Sequence, residues 1–131
     1  MAHLTIQYSI QLEKDYSIDL LTEGLREIMS KSKVFPVGGI RVRAWSTKYN
    51  SIADGNRKNK YVDLILRMGV GRTLKEKENI GNEVMKFCKK FFSREFKNNY
   101  FALALEIIEI DNELSWKLNT IHGRLNSNRQ K

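Results

Sequence analysis

The chain is poor in residues that form covalent cross-links or bind metals. It contains one cysteine, Cys88, and two histidines. One cysteine cannot form a disulfide within the chain, and such a composition is typical of proteins in a reducing cytoplasm. The cysteine and histidines show no spacing typical of a zinc site, so we expect no metal. We therefore predict a cytoplasmic protein that depends on neither disulfides nor metal ions.

Long apolar runs are absent as well. No stretch approaches the ~20 apolar residues that a membrane-spanning helix needs. The N-terminal sequence MAHLTIQYSI has neither the basic region nor the long apolar run of a signal peptide. We expect no membrane partner.

Several common catalytic motifs are missing. No serine lies in a G-x-S-x-G motif, and Glu106 and Glu109 show no paired-carboxylate pattern. The turn GVGR at 69–72 lacks the third glycine of a dinucleotide fingerprint and the Gly-Lys-Ser/Thr of a phosphate-binding loop. These absences argue against a serine hydrolase and against a nucleotide bound at this turn.

Positive charge, by contrast, is in excess. The chain has 131 residues, 23 lysines and arginines against 15 aspartates and glutamates, and a formal net charge of +8. Most of these side chains are expected to be ordinary solvated surface. The excess still leaves two functional options, a nucleic-acid partner or a small anionic ligand drawn into a basic site.

The pattern of apolar residues predicts two successive β-α-β units. Strands are predicted at LTIQYSI, GIRVRAW, YVDLILRM and YFALALEIIEI, and helices at SIDLLTEGLREIMSK and after GVGR. Ser17 is the predicted cap of the first helix, and Thr73 with Glu76 forms the capping-box pattern of the second. We expect one domain over residues 1–123, followed by a polar C-terminal tail at 124–131.

This order predicts an α+β fold in which a four-stranded sheet carries both helices on one face. The last strand, FALALEII, is apolar at nearly every position, as if it were buried on both faces. Two helices can cover only one face of the sheet. We therefore expect the free face to pack against other subunits in an oligomer.

Three arginines are candidates for binding an anion. In GIRVRAW the period of two places Arg41 and Arg43 on the face opposite the core. They are either ordinary solvated residues or, if that face is buried, residues that need an anionic partner, and spacing alone supports both equally. Arg72 lies at the start of the second helix, where free N–H groups and the helix dipole favour anions.

The order β-α-β-β-α-β is also that of RNA-recognition domains. Those domains stack bases on aromatic residues of their third strand. The strand YVDLILRM offers only Tyr61 for such stacking. We therefore expect no nucleic-acid partner.

Three blocks together resemble the 5-carboxymethyl-2-hydroxymuconate isomerase family of the tautomerase superfamily. They are VFPVGGIRVRAW at 34–45, ADG at 53–55 and MGVGRTL at 68–74, and the resemblance runs to about residue 122. It implies tandem β-α-β units assembled as a homotrimer. It also implies cofactor-free proton transfer on a small anionic unsaturated hydroxy or keto diacid, in the catabolism of aromatic compounds.

The resemblance also implies residue roles. Arg41 and Arg72 match arginines that hold substrate carboxylates or polarise the carbonyl, and Arg43 would be a secondary substrate-binding or structural partner. The family's catalytic base is an N-terminal proline, and Ala2 stands at that position here. Ala2 would act as a substituted base through a freed α-amine. The alternative is a non-catalytic relative that keeps the anion pocket and lacks the base.

Overall fold

Two β-α-β units build one four-stranded sheet with α-helices against one of its faces. The computed structural model describes residues 1–129, with the side chains described up to residue 126. The strands are β1 (Ala2–Ser9), β2 (Ile40–Thr47), β3 (Lys60–Met68) and β4 (Phe101–Glu109). The helices are α1 (Ile18–Lys31), α2 (Leu74–Phe91) and α3 (Thr120–Arg129).

The sheet places the N-terminal strand in its interior. The strand order is β2-β1-β3-β4, with β1 parallel to β2 and antiparallel to β3, and with β3 parallel to β4. Ala2 therefore pairs with a neighbouring strand on each side, opposite Ile40 of β2 and Met68 of β3. The predicted α+β class and the order of the two units are confirmed.

The core lies between the sheet and the two long helices. Every second strand residue faces it, as Leu4 of β1 and Leu64 of β3 do, and Leu25 of α1 and Val84 of α2 meet them. Cys88 is fully buried in this core, and burial raises the pKa of its thiol to about 12. The apolar side chains of α2 therefore belong to the core, and Cys88 is a packed thiol.

No α-helix covers the opposite face of the sheet within the described part of one chain. Along β4 the side chains alternate, so that Leu103 and Leu105 are half-buried under the helices while Glu106 and Ile108 are exposed. Trp45 of β2 is exposed on the same open face. In a single chain, therefore, only one of the two apolar faces of β4 packs against other residues.

Helix α3 was not predicted from the sequence. Its residues carry no apolar stripe, which is the signal that predicts a packed helix. The Asn119 side chain donates a hydrogen bond of 2.9 Å to the Gly38 carbonyl, and His122 lies so close to Gly38 that a Cβ there would meet its Nδ1 at 2.6 Å. The helix therefore packs on the turn before β2. Residues 124–129 of the predicted tail are helical, and 130–131 lie outside the described residues.

Both predicted helix caps are present. The Ser17 hydroxyl accepts from the Leu20 N–H. At α2 the Thr73 hydroxyl accepts from the Glu76 N–H at 3.1 Å, and the Glu76 carboxylate accepts from the Thr73 N–H at 2.9 Å. These bonds satisfy backbone donors that the first turn of a helix leaves free.

We predict that Thr73→Ala lowers the free energy of unfolding by about 1 kcal/mol, because it removes the cap of α2. Urea denaturation followed by circular dichroism measures this. Thr22→Ala is the matched control, since the one hydrogen bond of the Thr22 hydroxyl among the described residues goes to the Asp19 carbonyl of its own helix. The control is expected to stay within about 0.5 kcal/mol of the parent chain. Equal losses in the two variants would show that the capping box contributes nothing.

Candidate active site

Two turns hold the N-terminus in a fixed position. The Gly69 N–H donates a 3.1 Å hydrogen bond to the Met1 carbonyl, which extends the pairing of β1 with β3 by one residue. On the other side, a Cβ at Gly39 would meet the Met1 Cα at 3.1 Å, so the turn before β2 can lie this close only without a side chain. The chain start is therefore clamped between the two sequence blocks that contain the candidate arginines.

Sheet register brings a row of basic side chains together on the open face. His3 lies opposite Arg41 of β2 and opposite Arg67 of β3. His3 is 8% exposed, and its Nε2 is buried without a hydrogen-bond partner. Burial, followed by the charges of Arg41, Arg43 and Arg67, lowers the pKa of His3 to about 4. The imidazole is therefore neutral at pH 7, and the positive charge of this row belongs to the arginines.

These arginines lack acidic partners among the described residues. The ion pairs found there join Arg26 to Glu23, Lys60 to Glu95 and Lys77 to Glu109. None of them involves Arg41, Arg43 or Arg67. A site with several unpaired guanidinium groups attracts anions, and carboxylates match the planar donor fork of arginine.

Arg72 is held by a different set of contacts. Gly71 precedes it with φ of +109°, a backbone conformation that L side chains rarely adopt. The guanidinium donates to the Gly69 carbonyl at 3.1 Å and to the Val34 carbonyl at 3.3 Å, and it lies 5.3 Å above the ring of Phe35. These neutral partners orient the side chain and leave its charge uncompensated.

One cavity lies beside the chain start, and a second lies beside Arg72. The first, of about 340 Å³, is called here the N-terminal cavity. It is lined by Met1, His3, Arg41, Arg67, Ile110 and residues 114–118. The second, of about 620 Å³, is lined by Ser30, Lys33, Val34, Phe35, Pro36, Val37 and Arg72. Within one chain, therefore, Arg41 and Arg72 line separate cavities.

The α-amine of Met1 is affected by charged residues of both cavities. Its pKa is lowered from the ordinary value, first by burial and then by the charges of Arg72 and Lys117. Each effect disfavours the ammonium form, so a larger share of the amine is neutral near pH 7. A neutral amine beside unpaired cations can remove a proton from the carbon of a bound anionic acid.

The sequence-predicted residues thus occupy distinct positions. Ala2 is fully buried at the start of β1, and its nitrogen is an amide while Met1 precedes it. Arg41 lines the N-terminal cavity and Arg72 the second cavity. Arg43 lies one row further along the open face, opposite Thr5, and does not line the N-terminal cavity.

Sequence reasoning missed Arg67 and Lys117. Arg67 has a signal, because the period of two in β3 places it on the open face with Asp63 and Ile65. Lys117 has none, since it lies in the irregular segment between β4 and α3 and reaches the chain start through tertiary structure.

The residues that the structure describes contain no group of three or more His, Cys, Asp or Glu side chains arranged to hold a metal ion. None of the described helices combines the length and apolar character needed to cross a membrane.

Comparison with known proteins identifies relatives over nearly the whole chain. Residues 2–125 match the family model of 5-carboxymethyl-2-hydroxymuconate isomerase. The 5-carboxymethyl-2-hydroxymuconate Delta-isomerase of Escherichia coli is 25% identical over 123 residues, which cover 94% of this chain and 98% of that protein.

Solved structures agree with this match. The crystal structure of a 5-carboxymethyl-2-hydroxymuconate isomerase from Deinococcus radiodurans R1 superposes with a TM-score of 0.88 at 32% identity, and the match covers 95% of this chain and 93% of that one. A fused 4-OT symmetric trimer superposes with a TM-score of 0.63 at 16% identity over 85% of this chain and 88% of that one, which shows likeness of fold alone. The chain therefore belongs to the 5-carboxymethyl-2-hydroxymuconate isomerase family.

Proposed function

We propose that this protein is a cofactor-free isomerase of the tautomerase type. Its substrate is an unsaturated hydroxy or keto acid with two or more carboxylates, of the 5-carboxymethyl-2-hydroxymuconate kind, formed during the catabolism of aromatic compounds. One observation carries the proposal, namely a cluster of guanidinium groups at the chain start that have no acidic partner among the described residues. Membership of an isomerase family supports it.

The base in this proposal is the chain's own terminal amine. When Met1 is removed, the amine is that of Ala2, the residue that stands at the start of β1. Its nitrogen takes a proton from the substrate, either from the enol oxygen or from a carbon next to the carbonyl. The electron pair spreads over the conjugated system. The ammonium then returns the proton to another carbon, so that only the positions of one hydrogen and one double bond change.

Arginines and one lysine hold the substrate and its developing charge. Arg41 is proposed to bind a carboxylate in the N-terminal cavity, with Arg67 and Lys117 as further anion contacts. Arg72, on the other side of the chain start, is proposed to polarise the carbonyl or to hold a second carboxylate. Arg43 acts at the rim, where its charge adds to the field felt by His3. Charge that develops on an enolate oxygen is stabilised by such fixed donors.

A homotrimer completes the proposal. Among the described residues, the sheet leaves one face without helices, with Trp45, Ile65 and Ile108 exposed on it. Exposed apolar surface of this kind typically marks an interface. A protein of similar fold, the fused 4-OT, forms a symmetric trimer.

A non-catalytic relative is the alternative, and Ala2 is the observation that favours it. A primary amine is more hydrated and more mobile than a proline ring. If Met1 is retained, the amine moves by one residue, about 3.3 Å along a strand, which is enough to ruin proton transfer. In this alternative the basic cavity still binds polycarboxylates, but no isomerisation follows.

We predict that Arg41→Ala and Arg67→Ala each lower kcat/KM for 5-carboxymethyl-2-hydroxymuconate roughly 10- to 100-fold, because a charged hydrogen bond to substrate is lost. Ultraviolet absorbance of the conjugated substrate measures the rate. Arg26→Ala is the matched control, since within the described part of the chain Arg26 pairs only with Glu23, on the surface of α1. Unchanged kinetics in the Arg41 variant would remove this residue from the site.

We predict that kcat/KM rises with pH, because the neutral amine is the active form. The midpoint of this rising limb should lie below the ordinary pKa of an α-amine. Lys117 lies close enough to the chain start to lower the pKa of the Met1 amine. We expect its charge to lower the pKa of the Ala2 amine as well, and Lys117→Gln removes that charge. The limb should therefore move to higher pH in the variant. A limb that stays in place after this change would contradict the assignment of the amine as base.

We predict that Ala2→Pro, in chains shown by mass spectrometry to lack Met1, raises kcat at least several-fold. A proline amine is secondary and is held rigidly by its ring, so positioning the amine contributes less to the activation free energy. Inactivity of both the parent chain and the variant on every unsaturated diacid tried would exclude the enzyme and leave the non-catalytic alternative.

A further inference from the structure

Three buried side-chain atoms in the described part of the chain have no hydrogen-bond partner. They are the His3 Nε2, the Ser30 Oγ and the Ser115 Oγ. His3 and Ser115 line the N-terminal cavity, and Ser30 lines the second cavity beside Arg72. Buried polar groups without a partner are rare in native proteins, and each of them calls for a physical reason. Their position in the walls of these two cavities indicates that a ligand supplies the missing partners.

The walls of the N-terminal cavity are rich in hydrogen-bond donors. Arg41, Arg67 and Lys117 bring guanidinium and ammonium groups, which donate hydrogen bonds and accept none. Among the described residues that line the cavity, none is an aspartate or a glutamate. Carboxylates match these donors, because they accept hydrogen bonds and carry the opposite charge. The three basic side chains therefore account for the anionic part of a ligand.

His3 and Ser115 add hydrogen-bond acceptors to this cavity. Burial and the neighbouring arginines hold the pKa of His3 at about 4, so its imidazole is neutral at pH 7 and one ring nitrogen keeps a lone pair. The Ser115 hydroxyl can accept through its oxygen as well as donate through its hydrogen. The other described residues that line the cavity have no side-chain oxygen or nitrogen that accepts a hydrogen bond. A ligand that fits all of these walls therefore needs a donor as well as a negative charge.

Strand register fixes the imidazole of His3 between two cations. His3 lies opposite Arg41 of β2 on one side and opposite Arg67 of β3 on the other, each about 5 Å away in the sheet. A carboxylate that both guanidinium groups bind is therefore next to the imidazole. The last torsion of a histidine side chain is broad, so a modest rotation turns a ring nitrogen towards the cavity.

A carboxylate alone leaves these acceptors unsatisfied. An ionised carboxylate accepts hydrogen bonds and has no hydrogen to donate, so it cannot pair with the lone pair of His3. A hydroxyl group on the carbon next to the carboxylate supplies the missing O–H within one or two bonds of the anion. A 2-hydroxy acid, or the enol form of a 2-keto acid, has this arrangement. Such a ligand matches the arginine donors and the histidine acceptor at the same time.

We propose that His3, assisted by Ser115, selects ligands that carry a hydroxyl group next to a carboxylate. The inference rests on the anion site of the proposed function and deepens it by naming the residues that recognise the hydroxy or enol group. Arg41 and Arg67 bind the carboxylate, the neighbouring O–H donates to the neutral imidazole of His3, and the Ser115 hydroxyl bonds to the same oxygen. A keto acid lacks this O–H, so the site binds the enol form in preference to the keto form of the same acid.

Titration calorimetry with two unreactive probes tests the proposal without reference to activity. Citrate and propane-1,2,3-tricarboxylate carry the same carboxylates on the same carbon chain, and citrate has in addition a hydroxyl group next to its central carboxylate. Both are fully ionised at pH 8. We expect the parent chain to bind citrate at least about 10-fold more tightly, because the other probe leaves the acceptors of the cavity unpaired.

Variants of the two acceptors locate the preference. We expect His3→Leu to reduce the preference for citrate to less than about 3-fold, while propane-1,2,3-tricarboxylate binds as tightly as to the parent. Ser115→Ala should reduce the preference by a smaller factor, and His3→Gln should keep part of it, because the amide oxygen accepts a hydrogen bond. His122→Leu is the matched control, since His122 packs on Gly38 and does not line the cavity. Urea denaturation of each variant shows whether the fold is kept.

The outcomes separate this inference from the proposed function. Equal binding of the two probes by the parent chain, or a preference for citrate that persists in His3→Leu, overturns the inference and leaves the anion site intact. If His3→Leu does not fold, Ser115→Ala decides, and an undiminished preference in that variant overturns the inference. A parent chain that binds neither probe overturns the anion site together with the inference. A parent chain that prefers citrate but isomerises no unsaturated diacid overturns the isomerase alone.

Discussion

Positive charge gathered around the start of β1, without acidic partners among the described residues, is the constraint on which the site depends. Register places His3 between Arg41 and Arg67. The nearby charges of Arg72 and Lys117 lower the pKa of the terminal amine. Such an arrangement costs folding free energy, because like charges repel and buried groups lose hydration. In the proposed function, the carboxylates of a bound polyanion compensate these charges.

Local features of the fold, namely two glycine turns and the interior position of β1, produce this arrangement. Gly39 lets the turn before β2 approach the chain start, and the positive φ of Gly71 shapes the turn before α2. The interior position of β1 fixes the chain start between β2 and β3. The two helices cover one face of the sheet and leave the arginine row on the other. Residues far apart in sequence therefore meet at one end of one strand.

Much of this was predictable from local patterns. Period-two and helical spacings predicted the strands and the two long helices. The Ser17 cap predicted where α1 begins, and the capping box of Thr73 with Glu76 predicted where α2 begins. Arg67 was missed, although the alternation in β3 shows it. Lys117 and α3 could not be predicted, because an irregular segment has no periodicity and α3 has no apolar stripe. Alternation alone also could not show that Arg41 and Arg72 line separate cavities, which depends on where two turns fold over the chain start.

Titration of the terminal amine by NMR tests the central claim most directly, on chains with a defined N-terminus. The account predicts that the amine of the free protein has a pKa below the ordinary range of an α-amino group. It also predicts that an unreactive saturated tricarboxylate raises this pKa when it binds, since the bound anion offsets the charges of the arginines. An amine with an ordinary pKa that does not respond to the tricarboxylate would contradict the account.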